Sequence, residues 1–378
     1  MKPPPFRWGI LGTAQIARKN WQAIRLSGNG IITAVASRDL TRARRFLAEC
    51  QAVAPFTTVP RAYGCYEDLL ADPAIDGVYI PLPTGVRKEW VLRAARTGKP
   101  IVCEKPCAAN VADLVAVLAA CRRHRVQFLD GVMFMHSRRL DLVRRVLDDK
   151  KTVGPLRRLH THFSFPAPAG FLTRNIRAQG GLEPLGCLGD LGWYCLRLAL
   201  WALRWEMPER VTGRVLLATR PPRGQRPVPL EFSGELFFAG GVSSSFYCSF
   251  VTANQQTALL SGTRGVLAID DFVLPQHGPE VAFTTRAATI VDHDCERTVT
   301  SGLRRWTVAE HGDNHPTAQE SYLFRHFAAQ VQTGRLNKNW PAWALATQRV
   351  VAACLASAQK GGAVVRLRDS KLKIENSK

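Results

Sequence analysis

Two short stretches of the chain carry the side chains best suited to chemistry on a hydroxyl or carbonyl group. In the first, an apolar run beginning at Ile101 ends in Cys103, Glu104, Lys105 and Pro106. A lysine at a strand tip can donate a hydrogen bond to a substrate oxygen, and its charge favours a developing alkoxide. In the second, Asp190 and Tyr194 stand four residues apart at the head of an apolar segment that reaches Leu203. On a helix that spacing puts both on one face, where a carboxylate and a phenol can orient a hydroxyl and exchange its proton. Taken singly, each has a plain structural alternative. Glu104 to Pro106 reads as a surface turn, Asp190 as a helix cap and Tyr194 as a core residue.

A third stretch points to a dinucleotide. Gly9, Gly12, Thr13, Ala14, Gln15 and Ile16 follow directly on the first apolar strand, and Ala17 closes the pattern. Counted as GxGxxG/A from Gly12, Ala14 and Ala17 take the second and third small positions. Small residues there let the backbone approach a pyrophosphate seated on the next helix. The alternative is a tight strand-to-helix turn with no ligand. The second strand ends in Ser37, Arg38 and Asp39. NAD enzymes place an acid at this tip for the ribose 2′-hydroxyl. Here Ser37 and Arg38 come first and Arg42 lies one helical turn on, which suits a 2′-phosphate and favours NADP over NAD. A solvated helix start capped by Asp39 is the alternative.

These stretches need a frame. Through residue 130, apolar strands (Trp8 to Leu11, Ile31 to Ala36, Gly77 to Leu82, Ile101 to Cys103, Val126 to Leu129) alternate with segments of helical period such as Leu40 to Gln51, Val86 to Thr97 and Ala112 to Arg123. That grammar predicts an α/β fold with a parallel, doubly wound Rossmann sheet. Leu82, Pro83 and Thr84, with Glu104 and Lys105, fall at the carboxyl ends of its strands, where such sheets bind ligands, and are expected against the cofactor. Beyond residue 150, longer runs with polar alternation (Leu156 to Phe165, Glu209 to Thr219, Leu230 to Phe238, Val242 to Phe250, Thr257 to Ser261, Gly265 to Asp270) predict a second α/β domain with a large, mainly antiparallel open sheet. Two helices, Thr317 to Gln332 and Ala342 to Gln359, and a strand from Ala363 to Leu367 follow. The expected division is 1–130 for the dinucleotide, 131–367 for substrate and oligomerisation, and a charged, frayed tail over 368–378.

Composition narrows the class. With 46% hydrophobic and 21% charged residues the chain is an ordinary globular protein. No apolar run reaches the ~20 residues of a membrane span, and Met1 to Phe6 shows no secretory pattern, so a cytoplasmic protein is expected. The net charge of +21 favours anionic ligands. Its basic residues are spread along the chain, and specific nucleic-acid binding is not expected. Ten cysteines without a CxxC pair read as reduced thiols. His160 and His162 read as two polar strand residues, and no metal site is expected.

Together the motifs resemble the Gfo/Idh/MocA family of oxidoreductases, named for glucose–fructose oxidoreductase and inositol dehydrogenase. Arg7 to Ala17, Glu104 to Pro106, and Gly189, Asp190, Gly192 and Tyr194 match its signatures in order, and Ser261 to Gly265 matches a further turn. The resemblance implies Lys105 as the catalytic lysine, with Pro106 after a cis bond, Tyr194 in the acid/base position and Asp190 as the supporting carboxylate. Arg87, His136, Asn175 and Arg177 are the candidate substrate contacts. Three positions depart from the family pattern: Ala14 stands where a glycine is usual, Arg87 where a histidine is common, and Ser137 where an asparagine is. The cation at Arg87 is expected to favour an anionic substrate. The resulting expectation is NADP(H)-dependent hydride exchange with a secondary alcohol or ketone of a sugar, polyol or dihydrodiol, in a dimer or tetramer formed through the C-terminal sheet. The alternative is a catalytically silent NADP-binding sensor or assembly protein on the same fold.

Overall fold

The computed structural model describes residues 3–220, 224 and 226–367, with the backbone alone for Thr173 and Arg174. The expected tail over 368–378 lies outside the described residues.

Six short strands form the first sheet: β1 (Phe6–Leu11), β2 (Gly30–Ala36), β3 (Arg61–Tyr63), β4 (Gly77–Ile80), β5 (Ile101–Cys103) and β6 (Phe128–Asp130). Their order is β3-β2-β1-β4-β5-β6, and every pair is parallel. β4, β5 and β6 are buried at every position, which is why they read as continuous apolar runs. The crossovers carry α1 (Gln15–Ser27), α2 (Leu40–Val53), α3 (Tyr66–Ala71), α4 (Thr84–Arg96) and α5 (Val111–Arg123). Local chemistry sets their ends. Asp39 accepts from the Thr41 N–H at 2.8 Å at the start of α2, Asn110 accepts from the Asp113 N–H at 2.9 Å at the start of α5, and Gly28 turns left-handed (φ 76°) after α1.

After α6 (Arg138–Asp148) comes β7 (Leu156–Ser164). A single turn, α7 (Phe171–Arg174), precedes a π-helical turn over Leu188–Gly192, which runs into α8 (Trp193–Ala202). The second sheet continues with β8 (Arg210–Ala218), β9 (Pro229–Phe237), β10 (Ser243–Ser249), β11 (Gln255–Gly262), β12 (Val266–Ile269), β13 (Val281–His293) and β14 (Glu296–Val308). α9 (Gln319–Gln332), α10 (Asn339–Gln359) and β15 (Val365–Arg366) close the described chain. The nine strands lie in the order β14-β13-β12-β11-β7-β10-β9-β8-β15, and only β7 and β10 pair parallel. The large, mainly antiparallel sheet is therefore present.

Its longest feature, the β13–β14 hairpin, is not among the expected strands, which pass from Asp270 directly to Ala363. From Arg286 to Arg305 both strands are exposed, so no alternation of apolar and polar residues marks them. The other departure is the return of α9 to the first sheet. Its Phe324 and Phe327 pack on Trp8 of β1, with ring centroids 5.3 and 5.4 Å apart. A helix from the end of the chain thus belongs to the core of the N-terminal layer.

Candidate active site

The sequence places three motifs at element ends, and the fold brings those ends to one cleft of about 1420 Å³. Gly12 leaves β1 at φ 112°, a conformation open to glycine, and a Cβ there would stand 2.9 Å from Leu82. Ala14 then caps α1 with no side-chain hydrogen bond, so the first amides of the helix are left for a ligand. Gly12, Thr13, Ala14, Gln15 and Ile16 all line the cleft, and so do Ser37, Arg38 and Arg42 at the tip of β2. Arg38 and Arg42 are exposed and form no ion pair among the described residues. The Asp39 carboxylate is turned to the start of α2. The tip therefore offers two guanidiniums and a hydroxyl, a donor set that fits a phosphate better than a ribose hydroxyl.

At the tip of β5, Glu104 is buried and held from two sides. Its Oε1 accepts from the Tyr79 hydroxyl at 2.6 Å and from Asn20 Nδ2 at 3.4 Å. The next residue, Lys105, precedes a cis proline bond. Its Nζ donates to Asp190 Oδ1 at 2.6 Å and to the Asp190 carbonyl at 2.8 Å. Arg177 Nε donates to the other carboxylate oxygen at 2.7 Å. Burial alone would raise the Asp190 pKa, but the Arg177 and Lys105 charges outweigh it and hold the carboxyl at about 2. Two cations thus share one ionised carboxylate, on side chains only 9% and 14% exposed for Lys105 and Asp190.

Tyr194 follows Asp190 by one turn across the junction of the π turn and α8, and both line the cleft. The Lys105 ammonium lies over the phenol ring, 4.6 Å from its centroid, and the hydroxyl donates to Met133 Sδ at 3.6 Å. Burial, then the Glu104 and Asp190 charges, push the phenol well above its ordinary value. Asn175 also lines the cleft, and its Oδ1 accepts from the Arg177 N–H at 3.0 Å.

Four expected contacts sit elsewhere or do other work. His136 lines a separate pocket with His326, Trp340 and Trp343, and its Nδ1 lies 3.2 Å from His326 Nδ1. The short 3-10 turn Met133–His136 aims it away from the cleft and presents Met133 instead. Gly9 lies within β1, where a Cβ would meet Leu69 at 2.7 Å, so its smallness serves packing. Thr84 is buried at the start of α4 and bound to Glu183. Arg87 borders the cleft, but its guanidinium is spent on the Leu82 and Pro106 carbonyls rather than held out to a substrate.

Other lining residues carry no motif. Lys19 of α1 pairs with Glu320 of α9 at 2.8 Å, and Leu323 and Phe324 continue that wall. Nothing in the sequence links these residues, because α9 reaches the cleft through its packing on α1 and on Trp8 of β1. Glu183 had no local signal: a Cβ on Gly181 would meet nothing within 4 Å, and one on Gly180 would meet the Arg226 carbonyl rather than α4.

Comparison with known proteins places the chain in a family. Two family models match, one over residues 6–131, described as an oxidoreductase family with an NAD-binding Rossmann fold, and one over residues 141–268, described as the GFO/IDH/MocA C-terminal domain. The chain belongs to the Gfo/Idh/MocA oxidoreductase family. As a member it is 30% identical over 271 residues to trans-1,2-dihydrobenzene-1,2-diol dehydrogenase of Sus scrofa, covering 70% of this chain and 74% of that one. It is also 30% identical over 363 residues to D-xylose 1-dehydrogenase (NADP(+)) 2 of Haloferax volcanii, covering 94% and 98%. Among solved structures, KijD10, a 3-ketoreductase from Actinomadura kijaniata in complex with NADP and TDP-benzene, matches with a TM-score of 0.76 at 23% identity. That match covers 93% of this chain and 98% of KijD10, and shows a shared fold.

Proposed function

We propose that the protein is an NADP(H)-dependent oxidoreductase that exchanges a hydride with a secondary alcohol or ketone of a sugar, polyol or dihydrodiol-like substrate. One observation carries this reading: the Lys105–Asp190–Arg177 cluster opens into the same cleft as the small-residue turn and the Arg38–Arg42 tip. The relatives named for dihydrodiol and xylose dehydrogenation support the substrate class, and NADP in the name of one and in the KijD10 complex supports the cofactor. Gly12 to Ile16 would hold the pyrophosphate, Ser37, Arg38 and Arg42 the 2′-phosphate, and residues 1–130 and 131–367 divide the work between cofactor and substrate. When bound, the nicotinamide supplies or takes up the hydride.

The remaining chemistry belongs to the chain. Two of the three Lys105 N–H bonds are spent on Asp190, leaving one to donate to a substrate oxygen. Asp190, ionised throughout the neutral range, keeps that ammonium in place. The Tyr194 phenol is protonated at neutral pH, the state needed to give a proton to a ketone oxygen as hydride arrives at carbon. Its present partner, the Met133 thioether, is a weak acceptor that a substrate oxygen displaces at little cost. Asn175 and Arg177 face the substrate side.

The phenol's turn toward Met133, rather than toward the Lys105 ammonium, favours the second reading of a silent NADP-binding sensor. A panel of sugars, polyols and dihydrodiols followed at the NADPH absorbance, with mass spectrometry of whatever co-purifies, separates the two. Turnover of a panel member is expected; NADP bound with no turnover of any would establish the sensor. The proposal includes a cytoplasmic homo-oligomer. All ten cysteines are free thiols, and the sheet face away from α8 and α10 leaves His160, His162 and Tyr247 only partly buried and Leu259 exposed. Among the described residues no helix is long and apolar enough to cross a membrane.

A further inference from the structure

Arg87, Thr84 and Glu183 form a chain of contacts that the proposed chemistry does not use. Helix α4 begins behind Pro83, a residue with no side chain to cap it. The cap comes instead from Glu183, about a hundred residues on. Its Oε1 accepts from the Thr84 N–H at 3.0 Å and its Oε2 from the Thr84 hydroxyl at 2.5 Å. A carboxylate is well placed at a helix N-terminus. Beside it, the Gly85 N–H donates to the Leu182 carbonyl at 2.9 Å. A Cβ on Gly85 would stand 2.1 Å from the Gly181 carbonyl oxygen, so the segment seats against α4 only because residue 85 is glycine.

The other end of the chain is Arg87, 3% exposed, with no carboxylate in direct contact among the described residues. Its Nη1 donates to the Pro106 carbonyl and, at 3.3 Å, to Thr84 Oγ1, and its Nε donates to the Leu82 carbonyl at 2.8 Å. A buried guanidinium without a counter-charge is costly. Thr84 relieves this by accepting from Arg87 while donating to Glu183, so the two charges meet through one hydroxyl. The contacts close into a ring. Pro106 follows Lys105, Lys105 holds Asp190, and Asp190 lies on the same segment as Glu183.

We infer that the Arg87–Thr84–Glu183 chain is a positioning device that holds the Lys105-bearing turn in register with the segment carrying Arg177 and Asp190. The inference rests on the proposed roles of Lys105 and Asp190. It reassigns Thr84 from the cofactor to a clasp, and Arg87 from a substrate contact to a brace.

Thr84→Val, Thr84→Ser and Glu183→Gln test it in the full-length protein. With a substrate from the panel, Thr84→Val and Glu183→Gln are expected to lower kcat by about tenfold to a hundredfold, because a small misplacement of the ammonium is costly. NADPH binding, read by its fluorescence, stays within about twofold, and the double variant is no worse than the worse single one, as expected of one coupled unit. Thr84→Ser, which keeps the hydroxyl, retains most of the activity. Independently of turnover, hydrogen exchange of residues 175–190 with NADPH present quickens in Thr84→Val and not in Thr84→Ser. Equal losses in Val and Ser, a loss confined to NADPH binding, or unchanged exchange across 175–190 would overturn the inference. Wild-type protein that turns over no panel member overturns the proposed activity instead, and the exchange data then decide the clasp alone.

Discussion

At the scale of single residues, the cleft is organised by charge. Asp190 is ionised because Lys105 and Arg177 flank it, and the lysine is aimed because Asp190 takes two of its hydrogens. Lys105→Ala removes the only ammonium in hydrogen-bond contact with Asp190 among the described residues. It is expected to lower kcat about a hundredfold to ten-thousandfold, the range for loss of a positioned acid–base or electrostatic group, with NADPH binding retained. Steady-state kinetics beside NADPH fluorescence titration checks both halves, and retained turnover would remove the lysine from the chemistry. At the β2 tip, Arg38→Ala with Arg42→Ala removes two exposed guanidiniums that form no ion pair among the described residues. Each charge-assisted hydrogen bond is worth about 1.5–3 kcal/mol, so NADPH affinity is expected to fall at least about tenfold while NADH affinity barely moves. Titration with both cofactors decides it: equal losses for the two would mean that the tip does not read the 2′-phosphate.

At the scale of elements, the strand tips are held by buried polar contacts that tie distant parts of the chain. Asp130 ends β6 and pairs with Arg197 of α8, both 1% exposed. Arg197 Nε donates to Thr347 Oγ1 of α10 at 2.7 Å, and Trp193 Nε1 donates to Asp130 Oδ2 at 3.3 Å. One ion pair thus fixes α8, and with it Tyr194, against the first sheet. Asp130→Ala strands the guanidinium in the interior and is expected to cost about 3–5 kcal/mol in urea unfolding. Asp130→Leu combined with Arg197→Met, which removes both charges, is expected to cost less. A double variant as unstable as Asp130→Ala would show that lost packing, not the unpaired charge, sets the effect. The β13–β14 hairpin is the opposite kind of element. Ile290 and Val299 face each other across it and are each 60% exposed, so it adds little to the core.

For the molecule as a whole, acid is the expected weakness. Burial, then the charges of His326 and Arg197, hold His136 down to about 3 from an ordinary 6.5. Burial also lowers His160, His162 and His326. Because the folded values are depressed, the unfolded chain takes up protons first. Stability is therefore complete above 6.5 and falls as the pH drops toward 3. Within that window His136 contributes up to about 1.4 kcal/mol per pH unit. Urea unfolding at about pH 7 and about pH 5 is expected to show a stability loss that His136→Leu reduces by up to about 2 kcal/mol. An unchanged difference in that variant would mean that His136 is not the group responsible.

Much of this protein can be read from local pattern, because the relevant physics is local. Continuous apolar strands alternating with helical periods specify a parallel sheet, a run of small residues after β1 specifies a close backbone approach, and Arg38 ahead of Asp39 specifies the charge at the β2 tip. The four-residue spacing of Asp190 and Tyr194 survives in the structure as a shared cleft wall. Tertiary structure alone decided the rest. His136 is a substrate contact by resemblance yet faces another pocket, since a single 3-10 turn sets its direction. Thr84 looks like a cleft residue until Glu183, distant in the chain, engages it, and Arg87 looks like a substrate contact until the Leu82 and Pro106 carbonyls take up its guanidinium. Glu320 and Phe324 enter the cleft wall only because α9 folds back on Trp8. Periodicity and turn chemistry are written within a few residues, whereas the partner of a buried charge is chosen by packing between segments that no local pattern connects.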